Sequence, residues 1–375
     1  MRPTWAEVHL ETLKANVREL LRLTAPGAVM MAVVKASAYG HGAVPAAKAC
    51  LEAGAEWLGV ALMEEALELR ASGIEGPLMV LGGVSPEAMR VAVKMDVGFP
   101  VFSGEHVRQA AAASRESGRA ARVHLKVDTG MGRIGARVGS GMEDLIQALK
   151  YTPGVHLEGT FTHFACADWE DLSYTRRQFE IFQGALRLLE EAGLDPGLRH
   201  TANSAACLDL PWSHLDMTRP GLSLYGYYPS QHLRSRARLE PCLEWKTRTV
   251  QVKVVPGGEL IGYGSTHRTP GDRVIATVPV GYADGYSRAF SNRGEVLVKG
   301  KRVPVIGRVC MDQMMLDLGV PGSLGDPRDL LGETVVLLGR QGDERITADD
   351  LASGMGTIAH EVLTRIGERV PRVHL

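Results

Sequence analysis

Eight short apolar runs, centred near residues 31, 59, 80, 100, 125, 159, 200 and 217, alternate with helical patterns over roughly the first 220 residues. The first run, Val29 to Val34, is apolar and β-branched, as parallel strands covered on both faces are. Between the runs the period changes: Leu10, Leu13, Val17, Leu20 and Leu21 fall on one helical face. Ser85-Pro86 supplies an N-cap and a first-turn proline for a helix over 86–94. Eight strand–helix repeats in this length predict a (β/α)8 barrel. Near residue 230 the texture changes. Gln231 to Arg238 is polar and basic and reads as a linker. From Leu243 short β-runs follow between glycine turns, at 243–255, 273–280, 295–299, 302–309, 313–318 and 333–339, with helices near 347–352 and 356–366. The expected fold is α/β: an N-terminal (β/α)8, TIM-like barrel over 1–235, then a mainly-β domain over 236–375. Residues 1–9 form a short strand that can pair with the second domain.

The odd polar residues gather at strand ends, where barrels build their sites. Lys35 ends the Val29–Val34 run, before Ala36-Ser37-Ala38-Tyr39-Gly40-His41-Gly42, and a helical pattern resumes from Val44. An amine there is either a base or imine former with a lowered pKa, or a charge that snorkels to water. Tyr39 can place a phenol beside the same ligand. Lys126 lies in Val123–Val127 and reads alone as a surface or ion-paired lysine; Arg133 sits in the glycine-rich loop beyond and can fork onto a carboxylate. His163 can bond Arg219, stack on a ring or be structural. Ser204 opens a helix, as a phosphate ligand or a plain N-cap. Arg219 ends the eighth strand and cannot give up its proton; Gly221 lets backbone approach an anion. In the β region, Tyr263 lies between Gly262 and Gly264, either as an exposed phenol or as a hairpin residue. Tyr282 lies in a Gly-Tyr-Ala-Asp-Gly turn, and Cys310-Met311-Asp312-Gln313 interrupts two β-runs as a bulge or an anion-binding amide.

Composition narrows the class. The net charge of -1 gives no pull toward nucleic acid or anionic membrane. No run approaches the roughly 18 apolar residues of a membrane span, and the first residues lack a signal peptide's apolar core. Five scattered cysteines without CxxC spacing fit a reducing cytoplasm. No His, Cys and carboxylate cluster has metal spacing, so no metal is expected.

Nine stretches in order, VVKASAYGHG (33–42), KVDTGMGRIG (126–135), THFACAD (162–168), ANSAA (202–206), RPGLSLYG (219–226), GYGST (262–266), VGYADGY (280–286), GRVCMDQ (307–313) and RVPR (369–372), resemble alanine racemases, the pyridoxal-phosphate enzymes built of a barrel and a β domain. The resemblance covers essentially the whole chain. It implies racemisation of L- and D-alanine, supplying D-alanine for peptidoglycan, in a cytoplasmic homodimer with shared sites. It implies that Lys35 holds pyridoxal 5'-phosphate and serves one face of the substrate, and that Tyr263 of the partner subunit serves the other. Arg219 would keep the pyridine nitrogen unprotonated. Tyr39, Ser204 and Gly221 would hold the phosphate. Arg133 and the Met311 amide would hold the substrate carboxylate, and Tyr282 would narrow the pocket toward a methyl group. In the family the equivalent of Lys126 can be carbamylated and then orients Arg133. One position departs: His360 stands where the family usually has a tyrosine that touches the phosphate. The rival readings are a racemase of serine or of broad specificity, a decarboxylase of the same architecture, and a non-catalytic pyridoxal-phosphate carrier. The last lacks a β domain, and the decarboxylases lack GYGST and VCMDQ.

Overall fold

The computed structural model describes residues 2–375. It divides into two compact units, one of Glu11–Ala38 and Gly42–Glu240, the other of Pro241–Leu375 with Tyr39–His41 and the N-terminal residues to Leu10.

Strand β1 (Thr4–Val8) belongs to the second unit. The first unit is the expected barrel: β2 (Val29–Val33), β3 (Trp57–Val60), β4 (Leu78–Val80), β5 (Phe99–Val101), β6 (Ala121–Lys126), β7 (Val155–Phe161), β8 (Leu198–His200) and β9 (Met217–Thr218). The ladders are parallel, in the order β4-β3-β2-β9 and β5-β6-β7-β8. Backbone bonds close both gaps. Gly98 N donates to Leu78 O at 2.8 Å, and Asp216 N to Arg199 O at 3.0 Å. The interior packs Met31, Trp57, Met79, Phe161 and Met217 against one another. Burying each such side chain contributes about 1.5–3 kcal/mol. Helices alternate with the strands, and some are started by a capping side chain. For Pro86–Lys94, Ser85 Oγ accepts Ala88 N at 3.2 Å ahead of the first-turn proline. Among the described residues no helix is long and apolar enough to cross a membrane.

The second unit continues with β10 (Leu243–Arg248), β11 (Gln251–Val255), β12 (Leu260–Ile261), β13 (His267–Arg268), β14 (Arg273–Val278), β15 (Glu295–Val298), β16 (Lys301–Ile306), β17 (Met314–Asp317), β18 (Thr334–Gln341), β19 (Glu344–Ile346) and β20 (Arg372–His374). They form one large sheet, β11-β14-β17-β16-β15-β18-β10-β1-β20, with β19 on β18 and a separate β12–β13 hairpin. β1 is antiparallel to β10 (Thr4 opposite Thr247) and parallel to β20 (Ala6 opposite Arg372). The run 243–255 is two strands rather than one. Thr249 breaks it, giving its hydroxyl to Leu330 O at 2.5 Å, and β10 and β11 then sit far apart in the sheet order. Gln231 to Arg238 is not a bare linker: Gln231–Ser235 is a 3-10 turn with Leu233 fully buried.

Candidate active site

In a parallel barrel the carboxyl ends of all strands share one mouth. Lys35 lies two residues beyond β2, Lys126 is the last residue of β6, His163 follows β7, Ser204 follows β8 and Arg219 follows β9. The structure thus gathers these side chains from five strands.

β2 ends at Val33, earlier than the sequence suggests, and no ordinary helix follows. Lys35–Gly40 is a helical turn whose Ala36, Ser37, Ala38 and Tyr39 have φ between 51° and 53°, with Gly40 at 85°. Left-handed helix costs an L-residue about 1–2 kcal/mol each. Four non-glycine residues in succession therefore need outside support. Ala38 N donates to Val34 O at 2.8 Å, Gly42 N to Ser37 O at 2.9 Å, and Ala36 N to Glu65 Oε1 at 2.5 Å. Glycine is required at Gly40, where a Cβ would lie 2.5 Å from Leu363 O. The turn leaves the Lys35 side chain half-buried. Burial, then the Arg133 charge, lower its pKa, while Glu65 pulls the other way.

Arg219 is 4% exposed. Its Nη1 bonds His200 Nδ1 at 3.0 Å, and Nη2 donates to Thr162 O at 2.8 Å and Thr201 O at 3.1 Å. These use three of the five N–H groups of a guanidinium and leave two for a ligand. Burial lowers its pKa to about 9, which keeps it cationic at neutral pH. His163, the candidate partner of Arg219, does not fill that role; His200 does. Burial first, with the Arg219 charge acting the same way, holds the His163 pKa well below its usual value, so the ring is neutral.

Lys126 is no surface lysine. It is 3% exposed, with Nζ 4.3 Å from the Phe161 ring centre. Burial and the nearby Arg219 and Arg133 push its pKa far down, against the pull of Asp128. Arg133 is exposed and makes no hydrogen bond among the described residues. Asp128 accepts the Gly130 and Gly132 amides at 3.1 and 2.9 Å and so folds the loop that presents Arg133.

Asn203, not Ser204, caps the helix Ser204–Asp209: its side chain accepts Ala206 N at 3.1 Å. Ser204 Oγ is thereby released to accept Gly221 N at 2.9 Å and Ser223 N at 3.4 Å. The structure joins two of the three residues that the resemblance marks for a phosphate.

In the β unit, Tyr263 is 70% exposed in the turn Tyr263–Ser265, between Gly262 and Gly264 at φ 74° and 70°. Tyr282 and Met311 are neighbours, since Tyr282 N donates to Cys310 O and Ala283 N to Met311 O, both at 3.0 Å. A Cβ on Gly281 would lie 2.3 Å from Met311 O, which fixes glycine there. Asp284, fully buried, holds this turn by accepting Gly281 N at 3.0 Å and by pairing with Arg2 at 2.7 Å. Tyr39 and His360 face each other with ring centres 5.9 Å apart, tilted by 45°.

A parallel barrel that gathers amines of lowered pKa and a buried arginine at its mouth, in a chain that also carries a β unit, has the build of an enzyme. The family pattern described as the alanine racemase N-terminal domain matches residues 8–229, and that of the C-terminal domain matches 242–374. An alanine racemase of Symbiobacterium thermophilum is 48% identical, over 100% of this chain and 97% of its own. A crystal structure of alanine racemase from Bacillus anthracis with bound L-Ala-P is 42% identical with a TM-score of 0.93, covering 100% of this chain and 95% of that one. A further structure, a histidine racemase from Leuconostoc mesenteroides subsp. sake, is 30% identical with a TM-score of 0.89, covering 100% and 98%. The chain belongs to the alanine racemase family, and it is an isomerase.

Proposed function

We infer that this chain interconverts L- and D-alanine, with pyridoxal 5'-phosphate held at Lys35. The family supports the reaction. Within the chain, the observation that carries it is the half-buried Lys35 amine with its lowered pKa at the end of a barrel strand. The residues fit the cofactor. Lys35 is an amine for its aldehyde, Arg219 has two N–H groups left for its ring nitrogen, and Ser204 has a hydroxyl proton to give its phosphate beside Gly221, whose own N–H holds the Ser204 oxygen. By the family resemblance, Tyr39 and His360 would be further phosphate donors and His163 would serve the ring. Bound there, pyridoxal phosphate supplies the electron sink that acidifies an amino acid's α-hydrogen.

Lys35 takes or returns that proton on one face of the α-carbon. Tyr263 of the partner subunit does so on the other, because one base cannot reach both faces without turning the substrate over. Arg219, staying cationic, keeps the ring nitrogen unprotonated and limits side reactions. Arg133 and the Met311 amide hold the substrate carboxylate, and Tyr282 narrows the pocket toward a methyl side chain. A carbamate on Lys126 gives Arg133 an anion to orient it. The working unit is a homodimer with two shared sites, acting in the cytoplasm to supply D-alanine for peptidoglycan. A racemase with another side-chain range is the alternative, since a histidine racemase shares the fold. Racemisation assays with cofactor on alanine, serine and histidine test both. Activity on alanine far above the others is expected, and activity confined to another amino acid would overturn the assignment.

A further inference from the structure

Arg219 heads a buried chain of hydrogen bonds that the reaction itself does not use. Beyond the 3.0 Å bond to His200 Nδ1, His200 Nε2 lies 3.0 Å from His124 Nδ1, and His124 Nε2 lies 3.3 Å from Glu158 Oε2. The other oxygen of Glu158 accepts Arg122 Nε at 2.9 Å and Nη2 at 2.5 Å. Both imidazoles are fully buried. The backbone is shaped for this chain. The β6–β7 ladder pairs Val123 with Leu157 but His124 with Gly159, so Glu158 is a bulge residue whose side chain is re-aimed. At Gly159 a Cβ would lie 2.5 Å from His124 Nδ1, so glycine makes room for the ring.

The direction of the protons is forced. A guanidinium only donates, so His200 Nδ1 accepts from Arg219. A neutral imidazole has one N–H, which His200 must then carry on Nε2 and give to His124 Nδ1. His124 in turn carries its proton on Nε2 and gives it to Glu158. Arg122, also donor-only, keeps the far oxygen of Glu158 an acceptor. The charge states agree. Burial first, then the Arg219 charge, hold His200 well below its usual pKa, and burial outweighs the pull of Glu158 on His124. Burial raises the Glu158 pKa, but the bonds from His124 and Arg122 lower it by more, so it is a carboxylate.

We propose that Glu158 is a positioning residue for Arg219: acting through His124 and His200, it sets the donor direction that presents the two remaining Arg219 N–H groups to a ligand in the barrel mouth. The link to catalysis rests on Arg219 serving the cofactor ring; the direction of the chain does not.

Glu158→Gln reverses this direction. The amide oxygen must face Arg122, so its NH2 faces His124 Nε2. That inverts both imidazoles and turns His200 Nδ1–H onto an Arg219 N–H, donor against donor. Removing Arg122 as well frees the amide to rotate and restore the original direction. A merely structural ion pair predicts the opposite, since a second loss only adds damage. The first measurement is neutron diffraction from deuterated protein prepared without cofactor. Deuterium is expected on Nε2 of His124 and His200, with both Nδ1 atoms bare; deuterium on either Nδ1 overturns the proposal without any variant. In the cofactor-loaded enzyme, Glu158→Gln is expected to lower kcat about tenfold with KM little changed, and Glu158→Gln with Arg122→Met to recover most of it. Wild-type kcat in the single variant, or no recovery in the double, also overturns it. An enzyme that racemises nothing would remove the assigned reaction yet leave the neutron result standing.

Discussion

Glu65 accepts the Ala36 amide at 2.5 Å through Oε1, and the Ala61 and Leu62 amides at 2.7 and 3.1 Å through Oε2. One carboxylate thus starts the helix Met63–Ala71 and also anchors the first left-handed residue after Lys35. It is the link between a helix start and the placement of the amine.

Glu65→Ala is therefore expected to destabilise the fold by about 2 kcal/mol, the sum of a lost cap and an amide without its acceptor. Glu65 also raises the Lys35 pKa, so its removal lowers that pKa further. Pyridoxal phosphate capture, followed by absorbance against pH, should then reach its plateau at lower pH than in wild type. An unshifted profile would mean that Glu65 acts on the backbone alone.

Acid should destabilise this protein early. His163 and His200 have folded pKa values well below 6.5, chiefly through burial, and those of His124 and His214 are lowered too. Below about 6.5 the unfolded chain binds protons that the folded one refuses, so stability rises with pH through this window and falls as pH drops from 6.5. Each histidine contributes a slope of up to about 1.4 kcal/mol per pH unit. Thermal unfolding at pH 7.5, 6.5 and 5.5 checks this. A constant midpoint would mean that these rings protonate in place.

Lys126 should react with carbon dioxide. Its buried, low-pKa amine is the neutral form that adds to carbon dioxide, forming a carbamate and releasing a proton. Labelled bicarbonate should give a carbamate carbon signal by NMR, absent from Lys126→Ala. That variant is expected to raise KM about tenfold, because Arg133 loses its orienting anion. No signal, with an unchanged KM, would leave Lys126 a structural amine.

Much of this was legible in the sequence, and the gaps have physical causes. The eight strands announced themselves because both-face burial writes continuous apolar runs, and Ser85-Pro86 marked its helix because capping is local chemistry. The left-handed turn was invisible, since Ala-Ser-Ala-Tyr carries no signal for positive φ and the support comes from Glu65, 29 positions away from Ala36. His200 was missed for the same reason: it is an ordinary strand residue until Arg219 is brought against it by the fold. Lys126 read as exposed because a charged residue in an alternating run usually is. The break at Thr249 rests on a carbonyl 81 residues away.

The shared-site dimer predicts complementation. Tyr263 is 70% exposed between two glycines, and in the proposed dimer it serves the other chain's site. Lys35→Ala and Tyr263→Phe chains should each be inactive, and mixing them should restore roughly a quarter of the wild-type sites, since each heterodimer keeps one intact site. Proven subunit exchange without recovered activity would place both bases in one chain.

Racemisation at Lys35 can be measured directly. L-Alanine is incubated with the purified protein and pyridoxal phosphate, and both enantiomers are quantified over time by chiral chromatography, beside Lys35→Ala under the same conditions. D-Alanine is expected to rise until the two enantiomers are equal, because their free energies are equal, and the variant is expected to form none. Alanine that stays in the L form with the wild-type protein, or D-alanine formed as fast without the Lys35 amine, would contradict racemisation at Lys35.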